Sequence, residues 1–141
     1  MSTSKPIPET PVGVQFSKDE DFLLRYANNV HLEITGWDLK LVFGQTDLQI
    51  APQAVVQHTA LTISWPYAKV LSYLLQVHIA AKEVEDGKIL VPKGIIAVPL
   101  DELPKELVGK LKHPKEGLEL MHKLYEEFIA ANPEAAPPKN K

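Results

Sequence analysis

From residue 30 the chain alternates apolar and polar positions. Val30, Leu32 and Ile34 point one way, and His31, Glu33 and Thr35 the other. After Gly36, Trp37 and Asp38 the alternation resumes, with Leu39, Leu41 and Phe43 opposite Lys40 and Val42. A period of two over such short runs predicts a half-buried antiparallel hairpin. Gly36 and Asp38 suit its turn, and Trp37 stands at the tip. Residues 44–53 read as a longer connection with Pro52 near its end. Residues 55–64 read as a third strand. Strict alternation there puts Val55, Leu61 and Ile63 on one face with Gln57 and Thr59, and Val56, His58, Ala60 and Thr62 on the other.

At Ser64 the period changes from two to 3.6. Ser64 is a good helix N-cap, and Pro66 falls in the first turn, where its missing N–H costs little. Tyr67, Val70, Leu71, Leu74, Val77, His78 and Ala81 recur at helical spacing, broadened by Leu75 and Ile79. Lys69, Ser72, Gln76 and Lys82 take the opposite side. Asp86-Gly87 is a stop, so a helix over 65–85 is expected. Residues 88–100 carry Pro92, Gly94 and Pro99, and the two prolines argue against a central strand. Ile95, Ile96 and Val98 are too apolar for a free linker, so an edge strand or a docked arm is expected. Two more helices follow, over 101–111 and 115–131. Leu103, Leu107 and Leu111 mark the first; Leu118, Met121, Leu124, Tyr125, Phe128 and Ile129 mark the second.

These elements predict an α+β fold: a small antiparallel β-sheet of three to four strands, packed by one long helix, with additional C-terminal helices. The domain organisation reads as a disordered arm over 1–20, rich in proline, and a core over 21–100. A helical extension over 101–132 and a disordered tail over 133–141 complete it.

Composition narrows the function more than it names it. The 141 residues carry a net charge of -3. The basic excess of a nucleic-acid binder is missing, so no nucleic-acid partner is expected. The chain has no cysteine, which excludes disulfides, thiolate metal sites and a cysteine nucleophile. No run of 18 apolar residues predicts a membrane span, and no apolar run follows the N-terminus as in a secretory signal. The expected location is the cytoplasm.

Candidate chemistry is sparse. His31 and Glu33 are two apart on one strand face, which sets two metal-ligand types side by side without a third. Glu119 and His122 have the spacing of carboxylate-bridged metal bundles, which need two such pairs and further carboxylates. Ser64, His58 and Asp47 make a triad only on paper, because capping already accounts for Ser64. Lys105, Lys110, Lys112 and Lys115 form a basic run best read as a solvated face. No glycine-rich phosphate loop and no Gly-x-Ser-x-Gly element is present. No cofactor, metal or catalytic residue is therefore expected. Trp65 and Tyr67 flank the helix-initiating proline and suit core packing or an interface. Together with Trp37, His78, Ile95, Ile96 and Val98 they are the interface candidates.

One stretch is similar to a known family. Tyr26-Ala27-Asn28 opens it, Leu41-Val42-Phe43-Gly44-Gln45 ends the second strand, and Ser64-Trp65-Pro66-Tyr67-Ala68-Lys69 enters the helix. With Leu71, Leu74, Leu75 and the exit Gly87-Lys88-Ile89, residues 26–90 resemble the bacterial family called domain of unknown function 3467. The helix-start proline is shifted by one residue from that pattern, and the C-terminal third extends beyond it. The resemblance implies a fold and carries no catalytic residue. The sheet-and-helix layout is also loosely similar to the SecB-type export chaperones.

Unpaired sheet edges favour pairing about a two-fold axis, so a homodimer or higher oligomer is expected. The favoured reading is a non-catalytic protein-interaction or assembly module with a protein partner, peptide-binding and chaperone-like in one form. The alternative is a small enzyme or metal-binding protein whose site forms between subunits from His31, Glu33 and His58.

Overall fold

The computed structural model describes residues 13–47 and 54–139. The arm over 1–12, the connection over 48–53 with Pro52, and the last two residues lie outside the described residues. The chain is α+β. Three antiparallel strands, β1 (Asn29–Ile34), β2 (Asp38–Asp47) and β3 (Ala54–Ser64), precede the long helix α1 (Trp65–Asp86). A single-turn helix α2 (Lys105–Val108), the helix α3 (Pro114–Ala131) and a 3₁₀ turn (Pro133–Ala135) complete the order. The chain divides into two compact units, Met1–Ser72 and Tyr73–Lys141, and the division falls inside α1.

In the first unit β2 is the central strand. The β1–β2 turn is closed by Thr35 and Asp38. The Thr35 N–H donates to the Asp38 carbonyl at 3.0 Å, and the Asp38 N–H donates back to Thr35 Oγ1 at 3.0 Å. The Thr35 hydroxyl in turn donates to Asp38 Oδ1 at 2.7 Å. Gly36 and Trp37 are left as the two-residue tip, and Trp37 is 91% exposed.

The register places Val30, Leu32 and Ile34 opposite Phe43, Leu41 and Leu39. Leu39, Leu41 and Phe43 then pair with Ile63, Leu61 and Thr59. Directly opposed residues share a face, so these nine build one nearly continuous apolar surface. On the other face Glu33 pairs with Lys40, Nζ to Oε2 at 2.9 Å. The hydrogen bond from Lys40, reinforced by its charge, lowers the Glu33 carboxyl below the usual range and raises the Lys40 ammonium.

β3 contains a bulge that simple alternation misses. Phe43 pairs with Thr59 but Gly44 pairs with Gln57, so His58 has no partner on β2. One extra residue shifts every side chain beyond it to the other face. Val56, opposite Gln45, thereby joins the Leu61 face, and Val55 and Gln57 leave it. This reverses the face assignment expected for residues 55–57.

The long helix forms almost where its periodicity predicts and ends at Gly87, whose φ of +88° is a left-handed cap. The Gly87 N–H donates to the Glu83 carbonyl at 2.9 Å. No residue of α1 is buried. On the sheet, Ile34 is 70% exposed, and Val30 and Leu61 are more than half exposed. Among the described residues of this unit the buried apolar ones are Leu39 and Val42, both on the central strand, which has neighbours on two sides.

In the second unit the expected helix over 101–111 shrinks to α2. Pro104 lacks an N–H and holds Leu103 out of helical geometry, so the turn starts only after it. α3 begins at Pro114, where proline is favoured. The 88–100 arm docks on this same chain. The Val91 N–H donates to Glu134 Oε1 at 3.2 Å, the Lys88 ammonium reaches Glu134 Oε2 at 3.2 Å, and the Gly94 N–H donates to the Ala135 carbonyl at 3.4 Å. His122 Nε2 donates to the Leu100 carbonyl at 2.8 Å. The tail from Pro133, expected to be disordered, is thus anchored at its start, and Ala135 is fully buried.

Glu134 makes this clasp sensitive to acid. Its own backbone N–H, then the Val91 N–H and Lys88, hold its carboxyl below the usual range against an opposing contribution from burial. A lowered carboxylate stabilises the fold above its unfolded value, and the contribution is lost as pH falls through the folded value. Exchange of the Val91 amide is therefore expected to accelerate below the ordinary carboxylate range beyond the intrinsic pH trend. In Glu134→Gln that extra acceleration should disappear. An unchanged pH profile in the variant would remove Glu134 from this role.

Candidate functional site

A concavity in the first unit lies where residues 21–27 meet β2 and β3. It is an open groove of ≈ 830 Å³. Phe22, Leu23, Phe43 and Leu61 supply its apolar lining, and Asp21, Arg25, His58 and Thr59 its polar groups.

Local chemistry holds the 19–28 segment in place. The Asp19 carboxylate accepts the Asp21 N–H at 3.0 Å, and the Asp19 carbonyl accepts the Phe22 N–H at 3.0 Å. The Lys18 ammonium lies 5.2 Å from the Phe22 ring centre, within cation–π range. At the other end Asn28 extends β1 one residue before its first paired residue, Asn29. Its N–H donates to the Gly44 carbonyl at 3.1 Å. Its side-chain amide both accepts the Thr46 N–H at 2.7 Å and donates to the Thr46 carbonyl at 3.3 Å. An asparagine amide carries the same donor and acceptor as a peptide group, so it imitates one more strand residue.

His58 ties the segment to the sheet. Its Nε2 lies 3.0 Å from the Tyr26 carbonyl and its Nδ1 2.8 Å from Thr59 Oγ1. A carbonyl only accepts, so Nε2 carries the proton, and in the neutral ring the Thr59 hydroxyl donates to Nδ1. The bulge aims this side chain, because His58 is freed from pairing with β2. His58→Ala is expected to loosen residues 19–28 by about 1 kcal/mol, the net worth of such hydrogen bonds. Trypsin cleavage after Arg25 should accelerate accordingly, and equal rates in variant and parent would contradict the clasp.

The residues singled out from sequence are scattered. His31 and Glu33 lie on β1 and His58 on β3, with β2 between them, so one chain does not bring the three together. Two strand spacings separate them by about 10 Å. Ser64 is six residues from His58 along β3, about 20 Å at 3.3 Å per residue, which leaves the paper triad unassembled. His122 is engaged with the Leu100 carbonyl, and no group of three His, Asp or Glu suited to a metal ion occurs among the described residues. Trp65 and Tyr67 open α1 and remain exposed, as does His78. Ile95 and Val98 are exposed in the 88–100 arm, and Ile96 is half-buried. Sequence reasoning missed the groove and the roles of Asn28 and Thr59, and it set His58 in a candidate site with His31 and Glu33 rather than beside Tyr26. The signal for the groove was Gly44, which permits the bulge.

Comparison with known proteins finds no matching family model, no matching curated protein and no matching solved structure. The resemblance to domain of unknown function 3467 rests on its residue pattern alone. No helix among the described residues is long and apolar enough to cross a membrane.

Proposed function

We propose that this chain is a non-catalytic, homo-oligomeric protein-interaction module acting in the cytoplasm, with the groove between residues 21–27 and β3 as its peptide-binding surface. The bacterial setting comes from the family resemblance.

The observation that carries this reading is the exposed apolar surface. An apolar strand face and a helix apolar on most sides are normally covered. Here Val30, Leu32, Ile34 and Leu61 are exposed on the sheet, and Val70, Leu74, Leu75 and Ile79 on α1. Tyr73, four residues from Lys69, is exposed as well, so apolar area continues onto the polar side of the helix. The groove supports the peptide half of the reading, since it combines four large apolar side chains with a few polar groups.

Size-exclusion chromatography with light scattering over a range of concentrations tests the assembly. A mass of at least twice 15.7 kDa is expected. A monomeric mass at every concentration would overturn the oligomer. Phe22→Ala and Leu23→Ala should weaken capture of extended apolar peptides from an array, and parent-like capture in both would overturn the groove as the peptide surface.

A further inference from the structure

We infer that two copies of this chain join edge to edge through residues 59–64 of β3, antiparallel about a two-fold axis on Leu61 or Thr62, and that each groove is completed by the other copy. This rests on the homo-oligomer reading and names its interface.

β3 is an edge strand, and among the described residues no backbone hydrogen bond reaches it except from β2. Edge strands are normally protected by charges, prolines, bulges or short length. β3 is eleven residues long and contains no charged residue, no proline and no glycine. Its one protection is the bulge at His58, which bends the strand there and leaves 59–64 as an unbroken run. The opposite edge differs: β1 is six residues long and carries Glu33, engaged with Lys40.

Charge and parity favour a second copy as the occupant. An uncharged strand meeting itself places no like charges opposite one another. In an antiparallel pair about a two-fold axis normal to the sheet, opposed residues share a face, so the axis must pass through a residue. On Leu61, that leucine meets its own copy and Thr59 meets Ile63 of the second copy. On Thr62, Leu61 meets Ile63 of the second copy. Either register joins the two apolar faces into one six-stranded surface.

Area sets what else takes part. Six residues span about 20 Å, and a sheet about 10 Å thick gives roughly 400 Å² from both copies. Specific interfaces bury about 1,200–2,000 Å² in total, so strand pairing alone is too small. Phe22 and Leu23, at 54% and 70% exposure, lie beside this edge in the groove lined by Thr59, Ala60 and Leu61. Their contact with the second copy adds to this area without bringing it to the standard size, so the pairing belongs to the weak, concentration-dependent class, and the second copy's Ile63 forms the groove's far wall.

The chain's lack of cysteine makes the test direct. Single variants Leu61→Cys, Thr62→Cys and, as control, Glu33→Cys are oxidised mildly at full length. Whichever β3 position lies on the axis should yield disulfide-linked dimer about tenfold faster than Glu33→Cys, since only closely approached Cα pairs can bridge. Thr62→Lys, which sets like charges across the axis, should halve the mass seen by light scattering, whereas Glu33→Lys should not. If the parent is oligomeric but neither β3 cysteine bridges faster than the control and Thr62→Lys keeps the parent mass, the β3 interface is wrong and the oligomer reading stands. If the parent is monomeric throughout, both fall.

Discussion

Gly44→Val is expected to destabilise the first unit by about 3 kcal/mol, the upper end for forcing atoms into a packed site. A Cβ at this position would meet the Val56 carbonyl oxygen at 2.7 Å, Val55 Cγ1 at 2.9 Å and Gln57 Cα at 3.1 Å. Two of these are backbone atoms of the neighbouring strand, so no rotamer change relieves the clash. The strands must separate at the bulge. That displaces His58, and with it the contact that holds Tyr26. Trp37 and Trp65 sit at the hairpin tip and just beyond β3, which makes tryptophan fluorescence during urea unfolding a suitable measurement. Gly44→Ala should show the same effect, reduced but not abolished. A midpoint unchanged by either substitution would mean that the bulge does not need this glycine.

Leu39→Ala is expected to cost about 2 kcal/mol, the lower end of the range for truncating a buried leucine. Leu39 lies between Ile34 and Ile63 on the central strand and is 9% exposed. Ile34 is 70% exposed and Ile63 only half-buried, so the space it leaves opens to solvent rather than forming a sealed cavity. Trp37→Ala is the contrasting control, because a 91% exposed side chain at a turn tip should shift stability by less than about 0.5 kcal/mol. Equal losses from the two variants, read in the same urea titration, would contradict Leu39 as the centre of the sheet. Dependence of the Leu39→Ala loss on protein concentration would further show that the apolar face is covered by association.

The elements with a repeating period were legible in the chain. β1, β2 and α3 appear within about one residue to a few residues of their expected bounds, and α1 appears as Trp65–Asp86 against an expected 65–85. Where local steric rules outrank periodicity, the expectation failed. Leu103, Leu107 and Leu111 have helical spacing, yet Pro104 keeps Leu103 out of the helix, which runs only over Lys105–Val108. The groove was not legible. It depends on residues 21–27 meeting Phe43 and residues 58–61, and the groups that hold it, Asn28, His58 and Thr59, are ordinary in type.

The chain by itself determined its strands, its long helix and its lack of charge along β3, because each is a property of neighbouring residues. It also determined that more apolar surface exists than one three-stranded sheet can hide. Only the tertiary structure decided the register, the bulge at His58 and therefore which valine shares the face of Leu61. It also decided that the 88–100 arm is held by Glu134 and Ala135 of its own chain. These features depend on which distant backbone groups come within hydrogen-bonding reach, and on whether a Cβ fits between two strands at Gly44.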